Sequence, residues 1–150
     1  MKIIKYLIIL WMIIIFLLSN QKAQDSKQLS NSFIAKTIIN IYEMKHGEIS
    51  EENKIEIKEN YSFIVRKTAH FTIYLILGLL VSIVLIGKNL SINQIIIYGV
   101  LICMAYAVTD EIHQIFVSGR SGEIRDVIVD TCGSTIGILL NTIINKKRII

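Results

Sequence analysis

The sequence predicts an all-α integral membrane protein, a four-helix antiparallel bundle with an amphipathic helical connection between its first and second spans. Hydrophobic residues make up 53% of the 150 residues and fall in long blocks. Charged residues almost completely avoid these blocks, which is typical of membrane spans. Short polar connections join the last three blocks, which favours antiparallel neighbours. The length suits a single domain, residues 1–150.

The overall composition argues against two other classes of protein. The formal charge is +4, but no basic face on a soluble fold is apparent, so we expect no nucleic-acid partner. Cys103 and Cys132 both lie in apolar blocks and form no Cys-x-x-Cys or Cys/His metal spacing. We therefore expect no disulfide, with both cysteines packed between helices.

The first apolar block, Ile3–Leu18, directly follows Lys2 and includes Lys5 near its start. A signal peptide has a similar charged start and apolar centre. However, the following "SNQKAQDS" is a poor cleavage site, and the apolar stretch is long. We therefore favour a retained span whose lysines extend towards the membrane surface.

The long polar connection, residues 19–65, contains "NSFIAKTIINIYEM", whose apolar residues have helical spacing. This predicts an amphipathic helix on the bilayer surface or over the bundle. The following "HGEISEENKIEIKENYSFI" predicts a second, weaker helical stretch. The apolar positions of the first helix are Phe33, Ile34, Ile38, Ile41 and Tyr42.

The remaining spans are predicted at about 69–86, 90–108 and 127–144, with a tight turn at 87–89 and a polar connection at 109–125. Six of the sixteen basic residues then fall on the side of the termini, and the other ten fall opposite. The ten basic residues on the opposite side are interleaved with acidic residues, whereas those near the two termini are closely grouped. We therefore expect both termini in the cytoplasm. The six are Lys2, Lys5, Lys88, Lys146, Lys147 and Arg148.

Polar residues open the second span in "RKTAHF". On a helix, Arg66, His70 and Tyr74 share one face, with Lys67 beside them. The simplest interpretation is a pair of interfacial anchors followed by a buried, satisfied histidine. A binding or catalytic role is the alternative.

The third span ends in "VTDEIHQIF". Asp110, His113 and Gln114 share a face, while Glu111 points about a quarter-turn away. The stretch could be an ordinary polar helix end entering water. Two acids at a helix C-terminus nevertheless oppose the helix dipole, so they favour basic partners or a function.

The fourth span begins with Asp126 and Asp130 on one helix face. Asp126 suits the first turn of a helix, but an ionised Asp130 one turn inside the lipid costs a few kcal/mol unless it is paired. Gly133 and Gly137 form a Gly-x-x-x-Gly pattern that permits close helix contact. The preceding turn, "SGRSGE", can hold an anion through its backbone N–H groups.

The three polar stretches lie at the same membrane face in this topology. They form either a structural clamp or a functional site, and their number favours a site. The four basic residues can balance four acids, with two histidines between them: Arg66, Lys67, Arg120 and Arg125 against Asp110, Glu111, Asp126 and Asp130, with His70 and His113.

These stretches resemble the VanZ-like family of small bacterial membrane proteins. The resemblance covers most of the chain, from "SNQKAQDS" through "RKTAHFTIYLILGLL" to "AVTDEIHQIFVSGRSGEIRDVIVDTCGSTIG". It departs from the family at Ser118, where members often have proline, and at Ile73, where they often have an acid. The positions that match the family motif are Arg66, Lys67, His70, Tyr74, Asp110, Glu111, His113, Gln114, Arg120, Asp126 and Asp130.

The family is named after a protein associated with low-level teicoplanin resistance, so the resemblance implies a role in the bacterial cell envelope at the plasma membrane. One hypothesis is that the site binds lipid-linked wall or teichoic precursors by their phosphate groups and alters glycopeptide access. A second is an enzyme that acts on a lipid-linked phosphate, with His70 or His113 as nucleophile or acid/base. A metal-assisted version of this enzyme is possible, since histidine and carboxylates can ligate divalent cations. However, no His-Glu-x-x-His pattern occurs and four basic residues disfavour a bare metal centre, so no cofactor is expected. An ion pathway through the buried acids ranks last.

Overall fold

The computed structural model describes residues 2–20, 34–47, 49–118 and 122–149, and the regular secondary structure in these ranges is entirely helical. Four of its helical segments are long and apolar enough to cross a membrane: α1, residues 63–86 of α3, α4 and α5. The predicted all-α membrane fold is therefore confirmed. The helices are α1 Lys2–Ser19, α2 Ile34–His46, α3 Glu51–Ile86, α4 Ile92–Ile115, α5 Ile124–Ile144 and α6 Lys146–Ile149.

Helix α3 is one continuous helix of 36 residues, which is longer than the predicted span. The Ser50 hydroxyl caps its start by accepting a hydrogen bond from the Asn53 backbone N–H. No proline or glycine interrupts the chain between Ser50 and Ala69. The weaker helical stretch predicted before the second span is therefore the beginning of the span's own helix. At about 1.5 Å per residue, the polar first third extends some 18 Å beyond the apolar part.

Helix α2 coincides with the predicted amphipathic segment. Its Ile39 is buried, whereas Ile41 and Tyr42 are exposed on the protein surface. Those two side chains therefore suit contact with the bilayer better than a role in covering the bundle. The rest of the predicted apolar face lies outside the described side chains: Phe33, Ile34 and Ile38.

An ion pair joins α2 to the polar part of α3. The Lys54 amine lies 3.1 Å from a Glu43 carboxylate oxygen and 3.0 Å from one of Glu51. Hydrogen bonding to Glu51, and then to Glu43, raises the pKa of Lys54 above its usual value. The amine is thus charged at neutral pH, and it contributes a surface contact of modest strength.

Helix α1 packs against α3 and α4 while most of its large apolar side chains face outwards. The Trp11 indole donates a hydrogen bond of 2.9 Å to the Ile73 carbonyl oxygen. The Tyr106 hydroxyl donates one of 2.6 Å to the Met12 carbonyl oxygen. These bonds fix α1 along the axes of its two neighbours, and its exposed apolar side suits lipid.

The most extensive helix contact is between α3 and α5. A side chain at any of three glycines in this contact would collide with a backbone carbonyl of the opposite helix: Gly78 with Ser134, Gly133 with Phe71, and Gly137 with Leu75. The predicted Gly-x-x-x-Gly contact thus brings the two backbones together.

The bundle core lies between these helices, with members from α1, α3, α4 and α5. Cys103 is buried within it, as expected, but Cys132 is exposed, so the predicted packing of that residue between helices is wrong. Both cysteines are free. The core residues are Ile15, Tyr74, Leu77, Val81, Leu85, Ile95, Cys103, Ala107 and Ile138.

Substitution of Gly137 by alanine tests the close contact. We expect Gly137→Ala to lower the free energy of unfolding by about 1–3 kcal/mol, because its methyl group meets the rigid Leu75 backbone. Reversible unfolding in mixed micelles measures this change.

Gly99→Ala is the matched control. Its methyl group would lie 3.0 Å from Cδ1 of Ile138, a side-chain atom that can move, so we expect a much smaller loss. Equal losses for the two variants would contradict the close backbone packing.

Candidate functional site

The three polar stretches identified in the sequence meet at one end of the bundle, together with the C-terminal end of α1. His70 lies about 10 Å along α3 from the start of its apolar segment, and Asp130 lies about 9 Å along α5 from Ile124. Asp110 lies about 7 Å before the end of α4. The three side chains therefore occupy a similar depth near one membrane face.

His70, Asp110 and Asp130 form the innermost polar group, which we call the inner cluster. One potential ligand atom from each lies within 4.8 Å of those of the other two. The His70 Nδ1 atom is 3.5 Å from an Asp130 carboxylate oxygen. All three side chains are buried, with exposed fractions of 9% for His70, 2% for Asp110 and 0% for Asp130.

Asp110 is oriented by two donors that bind the same oxygen. The Ser19 hydroxyl donates a hydrogen bond of 2.8 Å to Oδ2, and the Gln114 amide donates one of 3.3 Å. The other oxygen, Oδ1, has no hydrogen-bond partner among the described residues. The carboxylate is therefore held from one side with its second oxygen left for another contact.

Glu111 links the end of α4 to the start of α5. One of its carboxylate oxygens accepts a hydrogen bond of 2.8 Å from the Gln114 amide. The other accepts one of 2.9 Å from the Glu123 backbone N–H. Glu111 is thus buried and engaged at both oxygens, rather than pointing away from its neighbours as the sequence suggested. This arrangement suits a positioning residue better than an acid or base.

Lys67 forms a second polar group nearer the membrane surface, which we call the outer ion pair. Its amine pairs with the Asp126 carboxylate and lies 3.8 Å from Glu123. Both Lys67 and Asp126 are largely buried, so this pair is screened less than a surface pair. The amine is consequently committed to the outer acids and forms no ion pair with the inner cluster in the described part of the chain.

Two of the three arginines of the predicted site lie within the described residues, and they differ in burial. Arg66 is half-buried, its guanidinium carbon is 5.9 Å from the Phe63 ring centroid, and its Nε has no hydrogen-bond partner among the described residues. Arg125 is exposed. Arg120 lies outside the described residues, together with Gly119 and Ser121 on either side of it.

The two other predicted aromatic members, His113 and Tyr74, differ in burial: the first is half-buried and the second fully buried. The His113 ring stacks on Phe16 of α1 with centroids 4.1 Å apart. Tyr74 is completely buried, 6.2 Å from the Tyr106 ring centroid, and its hydroxyl has no hydrogen-bond partner among the described residues. His113 therefore packs against α1, while His70 belongs to the inner cluster.

Two contributors were missed in the sequence. Ser19 is the first polar residue after the first apolar block, and Glu123 directly precedes the fourth span. Their positions at the ends of spans were the feature of the sequence that could have identified them as site residues. Neither has a spacing that identifies Asp110 or Lys67 as its neighbour, because those contacts run between helices distant in sequence.

The comparison with protein families matches VanZ/LLP1 over residues 4–145, nearly the whole chain. The chain belongs to the VanZ/LLP1 family. Comparisons with curated proteins and with solved structures gave no match. The matched residues therefore include all four spans, the inner cluster and the outer ion pair. The reaction or binding chemistry of the site is inferred from its residues.

Removal of the outer lysine tests the outer ion pair. We expect Lys67→Met to lower the free energy of unfolding by about 2–3 kcal/mol, because the buried Asp126 carboxylate loses its partner. This value lies between the costs of breaking an exposed ion pair and a fully buried one. Unfolding in mixed micelles measures the loss.

Two further variants control for the loss of a lysine as such. Lys54→Met breaks the exposed pair with Glu43 and Glu51 and should cost about 0–1 kcal/mol. Adding Asp126→Leu to Lys67→Met should restore most of the lost stability. A Lys67→Met loss no larger than that of Lys54→Met would show that the outer pair contributes little.

Proposed function

We propose that this VanZ/LLP1 protein binds lipid-linked envelope precursors through their phosphate groups at one face of the bacterial plasma membrane. By occupying these precursors it would limit their access to glycopeptides such as teicoplanin, in keeping with the association for which the family is named. The observation that carries the proposal is the half-buried Arg66 guanidinium, whose Nε lacks a hydrogen-bond partner in the described part of the chain.

A buried donor without a partner is costly, and a phosphate oxygen is the strongest acceptor available to a guanidinium at a membrane surface. Lys67, next to Arg66, is already neutralised by Asp126 and Glu123. Arg66, by contrast, forms no ion pair with an acid of the described residues, so its charge is open to a phosphate. The outer ion pair also brings the turn that carries Arg66 close to the turn that carries Arg125, which adds an exposed second charge.

The position of Arg66 favours a lipid-linked phosphate over a soluble one. It lies at the start of the apolar segment of α3, where a head group is level with the guanidinium while the tail runs along the span. The outward sides of the spans carry exposed apolar residues that suit such a tail, including Ile83 of α3 and Ile128 and Ile136 of α5.

An enzymatic alternative rests on one specific contact, the 3.5 Å approach of His70 Nδ1 to Asp130. A carboxylate beside an imidazole orients the ring and stabilises its protonated form, as a general base requires. In such an enzyme, His70 would take a proton from water as the water oxygen bonds to phosphorus and the bond to the leaving oxygen breaks. The leaving oxygen then takes up a proton.

Binding to bilayer nanodiscs containing a polyisoprenyl phosphate tests the first proposal. We expect Arg66→Gln to weaken binding by about tenfold or more, since a charge-assisted contact to phosphate contributes about 1.5–3 kcal/mol. Lys88→Gln is the matched control, because it removes a charge from the exposed turn at the other end of the bundle. Equal affinity of wild type and Arg66→Gln would exclude the proposed role of Arg66.

The same nanodiscs separate binding from catalysis. If the protein is a binder, His70→Ala leaves susceptibility to glycopeptides unchanged in cells, and no phosphate is released in vitro. Loss of both phosphate release and the cellular effect in His70→Ala, with lipid binding retained, would favour the enzyme.

We further infer that the polar end of the bundle faces outwards and that both termini are cytoplasmic. In a chain with both native cysteines replaced by alanine, Glu52→Cys and Ser118→Cys should react with an impermeant maleimide applied to intact cells. Lys88→Cys should react only after permeabilisation. Labelling of Glu52→Cys and Ser118→Cys from opposite sides would contradict a common membrane face.

A further inference from the structure

The inner cluster has a donor set that suits a metal ion. His70, Asp110 and Asp130 come from three different helices, and one ligand atom from each lies within 4.8 Å of the others. A divalent ion with ligands about 2.0–2.1 Å away in tetrahedral geometry separates those ligands by about 3.3 Å. The 3.5 Å between His70 and Asp130 is already close to that value. The Asp110 ligand atom lies within 4.8 Å of the other two, so an approach of about 1.5 Å or less would bring it to the same separation.

The potential ligand atoms of the inner cluster also lack other partners. In the described part of the chain, no hydrogen bond is made by His70 Nδ1, by Asp110 Oδ1 or by either carboxylate oxygen of Asp130. Asp110 and Asp130 are more than nine-tenths buried, and the His70 side chain is 11% exposed. Unpartnered buried polar atoms are rare in proteins, and three neighbouring side chains that all carry such atoms indicate a bound group.

Charge indicates that this bound group is a cation. Two buried carboxylates a few ångströms apart repel each other strongly in a medium of low dielectric constant. The nearest lysine, Lys67, pairs with Asp126 instead, and Arg125 is exposed. The sequence-based argument against a metal was the presence of four basic residues at the site. The described basic side chains are in fact committed elsewhere or lie nearer the surface than the inner cluster.

We propose that His70, Asp110 and Asp130 bind a divalent transition-metal ion, of the Zn²⁺ or Mn²⁺ class. An imidazole with two carboxylates suits these ions better than Mg²⁺ or Ca²⁺, which prefer oxygen ligands alone. Three protein ligands leave one or more positions for water or a substrate oxygen.

The groups around Asp110 match the outer shell that metal ligands usually have. Ser19 and Gln114 both donate to Oδ2, so they orient the carboxylate, while Oδ1 has no hydrogen-bond partner among the described residues. Hydrogen bonds of this kind fix ligand direction in metal sites. The buried Tyr74 hydroxyl, one turn beyond His70, is a further donor without a described partner.

Metal binding by the full-length protein tests the proposal. The protein is purified in detergent through a tag without histidine, treated with a chelator, and titrated with Zn²⁺ and with Mn²⁺ in the absence of lipid-linked phosphate. We expect one bound ion per chain by elemental analysis, together with a rise in the unfolding temperature that grows with metal concentration. The metal-site proposal does not depend on phosphate binding. A negative result for one of the two proposals would therefore not contradict the other.

Three substitutions locate the ion. His70→Ala and Asp130→Asn should each weaken metal binding at least tenfold, whereas the matched control His113→Ala should retain it, because that ring stacks on Phe16. Asp130→Asn also separates binding from folding. Without metal its unfolding temperature should equal or exceed that of the wild type, because it relieves charge repulsion, while its metal-induced shift disappears.

Absence of saturable binding of both ions by the wild-type protein would overturn the proposal. It would also be overturned if His113→Ala lost the ion as completely as His70→Ala, or if Asp130→Asn kept the full metal-induced shift.

Discussion

The backbone contact between α3 and α5 is the constraint on which the polar end of this protein depends. Gly133 has no side chain, so the Phe71 carbonyl can lie directly against α5. His70 precedes Phe71, and Asp130 lies about one turn before Gly133, so the same contact brings the imidazole to 3.5 Å from the carboxylate. A larger residue at position 133 would separate the helices and with them the two halves of the inner cluster.

The charged residues at this end lie at two depths, the outer ion pair and the inner cluster. The two levels differ in how far positive and negative charges offset each other. In the outer level Lys67 faces Asp126 and Glu123, so attraction offsets much of the desolvation cost. In the inner level two carboxylates face one imidazole, and Asp130 receives no hydrogen bond from the described residues. The fold thus maintains an unfavourable buried charge at the inner level. Such arrangements cluster at functional sites, because a structural role alone is better served by neutral residues.

Hydropathy was sufficient to predict the four spans, because lipid imposes a length and composition that few other structures share. It could not predict that α3 continues through the polar connection, since helix continuity depends on the absence of a breaker and not on hydrophobicity. The convergence of the three polar stretches followed from their common membrane face. Which charges pair could not be predicted, because pairing depends on the rotation of each helix about its axis. The four-against-four balance therefore gave no sign that Lys67 forms its ion pairs with Asp126 and Glu123.

The contribution of α1 was the hardest to foresee and explains why so exposed a helix matters. Ser19 supplies the only hydroxyl that donates to Asp110 in the described part of the chain. A slide of α1 by one turn, about 5.4 Å, would remove that donor and free Oδ2 to turn away from Gln114. The hydrogen bonds of Trp11 and Tyr106 with opposing backbone carbonyls resist such a slide. They do so from deeper in the bundle, where lipid offers no competing partner. The register of α1 therefore sets the direction of Asp110, and the first span is part of the site even though only its last turn reaches it.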